Sequence, residues 1–164
     1  MSRPRGSKAE NSPTNKSAGH GSISHLMRQA ISLHQDQRFN DAIAVYRKIL
    51  MMYPGNADAL TNIGCALLEI GRASEAIDRL HEAVAADAGS ADAQSYLGNA
   101  LQVTGDWEAA EVAYLAALDI QPSECRTLNN LGVLLLKHNR LDEAAEYFRR
   151  GLTVDRNHVQ AHNN

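Results

Sequence analysis

Histidines and glycines stand at motif-like spacings in this 164-residue chain, but none completes a catalytic site. His158 and His162 are four residues apart, which on a helix places two metal ligands on one face, yet no third ligand follows at a matching spacing. Gly19 and Gly21 lack the strand and helix that surround a phosphate-binding glycine loop. The sequence also lacks a nucleophile paired with a base. We therefore predict no metal, no cofactor and no enzymatic activity.

Carboxamide side chains stand among the polar groups of the chain, at Asn62, Asn99 and Asn130 among others. An amide both donates and accepts hydrogen bonds, so it can bond a peptide backbone whatever the sequence of that peptide. This chemistry favours binding over catalysis.

Charge and hydropathy exclude two classes of partner. A net charge of −3 and an isoelectric point near 6.1 are not those of a nucleic-acid-binding protein, which needs a basic surface. The longest apolar stretch, Leu131 to Leu136, is far shorter than the roughly 20 residues that cross a bilayer, so we predict no membrane insertion. Cys65 and Cys125 are too few for a disulfide scaffold and indicate free thiols in a reducing cytoplasm.

Residues 1–22 contain no Leu, Ile, Val or Phe. They lack the apolar segment of a signal peptide and are rich in Ser, Gly, Asn and Lys. We predict that they form a disordered N-terminal tail.

The elements that must position these side chains come from a repeat of 34 residues that starts at Ile23. Alanine recurs at Ala42, Ala76, Ala110 and Ala144; small residues recur at Ala30, Gly64, Gly98 and Gly132. Apart from a few positions such as Gln29 and Gln94, the apolar or small residues at positions 4, 7, 8 and 11, and then 17, 20, 24, 27 and 28, have the spacing of two helices. Position 15 between them holds Gln37, Gly71, Gly105 and Asn139, and Gly or Asn there can take the left-handed conformation that ends a helix.

Each unit is therefore predicted to be a helix, a turn and a second helix. The units are residues 23–56, 57–90, 91–124 and 125–158, followed by a partial fifth unit over 159–164. The predicted helices are 24–36 and 39–52, 57–70 and 73–86, 91–104 and 107–120, and 125–138 and 141–154.

This pattern resembles the tetratricopeptide repeat family, whose members carry large residues at positions 4, 11 and 24, small ones at 8 and 20, and proline at 32. The third unit is the closest copy, with Leu97, Gly98, Leu101, Trp107, Ala110, Tyr114, Ala117 and Pro122 in their slots, although Gln94 stands at position 4. The resemblance covers residues 23–164 and implies an all-α, right-handed superhelical solenoid. It also implies that the first helices of the units line a concave surface.

Positions 2, 5, 9, 12 and 13 of the first helices, with position 6 at the rim, share the side of the helix opposite the predicted core. As candidate partner-binding residues we select Met27, Ile31, His34, Asp58, Thr61, Asn62, Cys65, Asp92, Ser95, Tyr96, Asn99, Gln102, Arg126, Asn129, Asn130, Val133 and Lys137. Amides, hydroxyls and exposed aliphatic groups on a concave helical array suit an extended peptide or a helix. The alternative is that this side is merely solvated.

The predicted function is a protein interaction scaffold that binds a segment of another protein. A second interpretation rests on Asn62 and Asn130 at position 6, because units two to four also resemble the repeats that precede the catalytic half of O-linked N-acetylglucosamine transferases and related bacterial glycosyltransferases. In that family groove asparagines hold the substrate backbone. Arg28 and Tyr96 interrupt the series here.

Some members of the repeat family clamp the C-terminal carboxylate of heat-shock proteins with converging cations. The corresponding slots here hold Met27, Ile31, Asn62, Asp92 and Tyr96, so we predict that this chain does not bind such a carboxylate.

The C-terminal end of the array is predicted to be adhesive. Repeat arrays need a polar terminal face, because each unit leaves an apolar face for its neighbour. We expect Ala144, Phe148 and Leu152 to lose their cover there and to allow end-to-end self-association. The alternative is that residues 159–164 fold over the gap.

Overall fold

In the computed structural model the backbone is described for residues 14–163 and the side chains for residues 21–154. Within this part of the chain all regular structure is helical. The helices are α1 (Thr14–Gln35), α2 (Phe39–Met52), α3 (Ala57–Glu69), α4 (Ala73–Ala86), α5 (Ala91–Thr104), α6 (Trp107–Ile120), α7 (Cys125–Lys137) and α8 (Leu141–Asn163). They form the predicted solenoid of four helix-turn-helix units.

Each helix packs on the next along the chain, and the first helices also contact one another, α3 with α5 and α5 with α7. The turn within each unit has the predicted left-handed residue, at Gln37 (φ 58°), Gly71 (φ 76°), Gly105 (φ 91°) and Asn139 (φ 59°). One positive φ therefore separates the two helices of every unit.

Small residues at position 8 let the two helices of a unit approach closely. A Cβ added to Gly98 would lie 2.6 Å from the ring of Tyr114, and one added to Gly132 would lie 2.6 Å from the ring of Phe148. The recurring Ala42, Ala76, Ala110 and Ala144 are at most 1% exposed. The core thus follows from the repeat, and the expectation that Ala144 loses its cover is wrong, because this alanine is buried within its own unit.

The predicted ends of the array need two corrections. α1 begins at Thr14, so residues 14–22 are not a disordered tail, whereas residues 1–13 lie outside the described part. Nothing between Thr14 and Ile23 is a proline, and a helix once formed extends at low cost.

α8 runs without a turn to Asn163, so no fifth first helix starts at residue 159. Position 32 of this unit is Arg156, whereas the preceding units have Pro54, Ala88 followed by Gly89, and Pro122 there, and neither proline nor glycine favours continuation of a helix.

Candidate functional site

The first helices present their outward residues side by side, and we call these candidate residues of α1, α3, α5 and α7 the first-helix surface. Their helices are fixed by caps: the side chains of Asn56, Ser90 and Glu124 accept hydrogen bonds from the first backbone N–H groups of α3, α5 and α7. Because the caps recur every 34 residues, equivalent positions of neighbouring helices stand next to each other.

A network of amides forms the centre of this surface. Asn99 Oδ1 accepts a hydrogen bond of 2.8 Å from Asn130 Nδ2, which links α5 to α7. The hydroxyl of Tyr114 lies 2.7 Å from Asn99 Oδ1 and 2.9 Å from Gln102 Oε1 and shares its proton between them. Burial raises the pKa of Tyr114, so this hydroxyl remains a donor at any physiological pH. We call Asn99, Gln102, Asn130 and Tyr114 the amide cluster.

The amide cluster leaves polar atoms available. Among the described residues, no hydrogen bond is made by Asn99 Nδ2, Gln102 Nε2 or Asn130 Oδ1. These atoms border an open depression of about 310 Å³, whose remaining walls are Val103 and Val133. The site therefore offers two donors and one acceptor beside apolar surface.

A second cluster joins Asp92, Tyr96 and Arg126. The guanidinium of Arg126 lies 4.7 Å from the ring centre of Tyr96 and donates to its hydroxyl at 2.8 Å. It also donates to Asp92 Oδ1 at 3.0 Å. Asp92 and Arg126 occupy the same position of successive units, which brings these residues together. Arg126 is therefore already paired with a carboxylate and a hydroxyl of the surface itself.

His34 and Cys65 form a third contact, with 3.8 Å between Cys65 Sγ and His34 Nε2. Burial raises the pKa of the Cys65 thiol, so the thiolate is disfavoured and the sulfur is not an activated nucleophile. Beneath them Tyr46 is fully buried, and its hydroxyl has no hydrogen-bond partner within the described region. Burial raises the pKa of Tyr46 to about 12.

Thr61 and Ser95 were predicted to line the surface, and this is wrong. Thr61 is 7% exposed and its hydroxyl donates to the carbonyl of Ala57 in its own helix. Ser95 is 1% exposed and accepts a 2.8 Å bond from the hydroxyl of Thr127. Both lie at position 5, which faces the first helix of the following unit. Asn129 has the same position in α7, where no further first helix follows among the described residues, and it is exposed.

The other candidates stand apart from these clusters. Asn62 donates through Nδ2 to the carbonyl of Asp58 in its own helix, at 2.7 Å. Asp58, Ile31 and Lys137 are exposed, and Met27 is half-buried. In the part of the chain whose side chains are described, none of these makes a hydrogen bond or ion pair with the amide cluster, so the polar network of the surface is organised mainly over α5 and α7.

Sequence reasoning placed Tyr114 in the core and missed its hydroxyl as a support of the surface. The signal was present: position 24 is a tyrosine in this unit, while positions 9 and 12 of the same unit are Asn99 and Gln102. An aromatic hydroxyl at that slot needs a polar partner, and these two amides are within its reach.

Two further findings concern the described residues alone. They contain no group of three or more His, Cys, Asp or Glu side chains that could hold a metal ion. Their helices include none whose length and hydropathy would let it cross a bilayer. His158 and His162 lie outside the region whose side chains are described.

Two sequence models described as tetratricopeptide repeats match residues 33–95 and 89–157, and together they span most of the solenoid. The chain belongs to the tetratricopeptide repeat family. A solved structure of MamA from Desulfovibrio magneticus RS-1 is similar to it, with a TM-score of 0.73 and 27% identity, covering 82% of this chain and 76% of that one.

Curated relatives share shorter stretches with this tetratricopeptide chain. Cellulose synthase operon protein C of Pseudomonas fluorescens is 34% identical over 67% of this chain, and Hsc70-interacting protein 1 of Drosophila melanogaster is 32% identical over 53%. The matched regions span only 9% and 23% of those proteins. The similarity therefore concerns a minor part of each of these proteins.

Proposed function

We propose that the first-helix surface binds a segment of a partner protein, as an extended peptide or as a helix. The tetratricopeptide fold supports a role in protein–protein interaction, and proteins of this fold are generally non-catalytic scaffolds. Our proposal accordingly assigns no catalytic step and no cofactor to this chain. It includes the cytoplasmic location predicted from Cys65 and Cys125, both of which are free thiols.

The observation that carries the proposal is the set of unused atoms in the amide cluster. A peptide unit presents one carbonyl and one N–H. Asn99 Nδ2 or Gln102 Nε2 donates to the carbonyl, while Asn130 Oδ1 accepts from the N–H. An apolar side chain of the partner contacts Val103 and Val133 in the same depression. This combination binds a backbone through hydrogen bonds and selects residues through a pocket.

Exposed aliphatic side chains support binding over a purely solvated surface. Val103 is 69% exposed and Leu136 is 50% exposed, and both belong to the helices that carry the amide cluster. Val103 shares its depression with Val133, and apolar surface rimmed by polar groups is typical of interaction sites.

The test is selection of peptides from a random displayed library on the immobilised chain, followed by affinity measurement with the double variant Asn99→Ala/Asn130→Ala. Each lost hydrogen bond costs about 1 kcal/mol, so the dissociation constant of a selected peptide rises about 30-fold. Asn40→Ala, an exposed asparagine on α2, is the matched control and leaves affinity unchanged. Equal affinity of the double variant, with unchanged helicity, would contradict the proposal.

The glycosyltransferase interpretation remains a second prediction. Asn130 takes part in the amide cluster, as a groove asparagine would, but the other asparagine at position 6, Asn62, bonds its own helix. Sequencing the gene past codon 164 distinguishes this interpretation from the interaction scaffold. If a glycosyltransferase domain follows, the repeats are predicted to recruit the substrate of that enzyme.

A further inference from the structure

Position 13 of the first helices forms a row across the solenoid, and its chemistry changes from one helix to the next. The row holds Glu69 in α3, Val103 in α5 and Lys137 in α7, and all three side chains are exposed. Side chains at equivalent positions of neighbouring first helices can reach each other, since Asp92 and Arg126, both at position 2, are joined by a 3.0 Å hydrogen bond. An acid, an apolar residue and a base therefore follow one another along this row.

The two charges of the row are not paired within the described part of the chain. Opposite charges on adjacent first helices, such as Asp92 and Arg126, form an ion pair with each other. Glu69 and Lys137 are separated by α5, so their helices are two packing distances apart, roughly 16–20 Å. Neither of them forms an ion pair with another described residue. A single ligand that pairs with both must therefore carry two opposite charges, one towards each of its ends.

The middle of the row belongs to the depression beside the amide cluster. Val103 lines this depression together with Val133 and the amides of Asn99, Gln102 and Asn130. Valine and neutral amide groups do not compensate a buried charge, so the group of the ligand that enters here is uncharged. The row thus asks for a base, an aliphatic group and an acid in that order.

We propose that the partner segment is extended and carries three side chains in order: a lysine or arginine that pairs with Glu69, an aliphatic residue that contacts Val103, and an aspartate or glutamate that pairs with Lys137. This inference rests on the function proposed above and specifies which segments the site selects. An extended segment is required because a helix already uses its own peptide groups, which the amide cluster needs free. Exposed charge pairs of this kind contribute more to the choice of partner than to affinity.

The spacing of the three side chains follows from the helices beneath them. Axes of packed helices are about 8–10 Å apart, and an extended chain rises about 3.3 Å per residue. About three residues of the partner therefore span one helix, so its basic, aliphatic and acidic residues stand about three positions apart. Either backbone direction can present this order, because the row distinguishes side chains and not peptide groups.

The experiment compares three peptides derived from one that is selected on the immobilised full chain: the mixed-charge peptide, a version with acids at both outer positions and a version with bases at both. The parent chain binds the mixed-charge peptide at least about threefold more tightly than either of the others at low salt. Glu69→Lys reverses this preference in favour of the acidic version, and Lys137→Glu reverses it in favour of the basic version. In 0.5 M NaCl the preferences shrink, because salt screens exposed charges.

The matched controls are Glu108→Lys on α6 and Lys48→Glu on α2, which make the same charge changes at exposed residues outside the row. Both retain the preference of the parent for the mixed-charge peptide. If the controls change the preference as much as Glu69→Lys and Lys137→Glu do, the net charge of the chain and not the row selects the peptide, which overturns the inference.

Failure of this inference differs from failure of the proposed function. If the parent binds all three peptides equally, while Asn99→Ala/Asn130→Ala weakens each of them, the amide cluster binds partners but the row does not select them. That result overturns this inference alone. If no selected peptide depends on Asn99 and Asn130, the proposed function fails and the inference fails with it.

Discussion

Tyr46 and Tyr114 occupy the same position of their units and differ in the hydrogen bonding of their hydroxyl groups. The Tyr114 hydroxyl bonds Asn99 and Gln102, whereas the Tyr46 hydroxyl is buried with no partner among the described residues, because Ile31 and His34 stand where unit three has those amides. A buried hydroxyl stabilises the fold only when it is bonded.

We predict that Tyr114→Phe lowers the free energy of unfolding by about 1 kcal/mol, the net value of one such hydrogen bond. Tyr46→Phe, the matched control, leaves the free energy of unfolding unchanged or raises it, since it removes an unpaired polar atom. Urea unfolding followed by circular dichroism measures both. Equal losses would mean that the hydrogen bonds of the amide cluster do not contribute to stability.

At the residue scale too, the hydrogen bonds of Arg126 determine whether the surface can bind an acidic peptide. A peptide ending in Glu-Glu-Val-Asp needs free cations, but Arg126 is bonded to Asp92 and Tyr96, and Met27, Ile31 and Asn62 carry no charge. We expect no binding of this peptide by anisotropy at micromolar protein, although a curated relative is named for an interaction with Hsc70. Micromolar affinity would contradict the expectation.

At the scale of the helices, the turns contain strain that a substitution can remove. Gln37 has φ 58°, a left-handed conformation that costs a residue with a Cβ about 1–2 kcal/mol. We predict that Gln37→Gly raises the free energy of unfolding by up to about 1 kcal/mol. The gain is smaller than the strain it removes, because glycine also makes the unfolded chain more flexible. Gln29→Gly, the same change inside α1, lowers it by about 1 kcal/mol. Urea unfolding of the two variants checks the opposite signs.

The helices and their turns could be predicted from the sequence because the 34-residue period fixes both the apolar stripe and the left-handed residue. The ends of the array could not, since α1 and α8 extend beyond the residues that the 34-residue period governs. The burial of Thr61 and Ser95 also escaped prediction. A helical wheel shows which side of a single helix a residue lies on. It does not show that the first helix of the following unit covers position 5.

At the scale of the whole molecule, every unit repeats the same close packing of its two helices around a buried alanine. Ala110 is fully buried between α5 and α6, so Ala110→Glu places an unpaired charge in the interior at a cost of several kcal/mol. We predict loss of helicity in Ala110→Glu at 25 °C by circular dichroism. Val112→Glu, two residues away on the exposed side of α6, retains full helicity.

The central claim, that the amide cluster receives a partner's backbone, is tested most directly by NMR of the side-chain amides. On titration with a selected peptide, the Nδ2 and Nε2 proton resonances of Asn99, Gln102 and Asn130 should shift more than those of Asn40, and the shifts should saturate at the measured dissociation constant. Shifts confined to residues of α4 and α6, with these three amides unmoved, would contradict it.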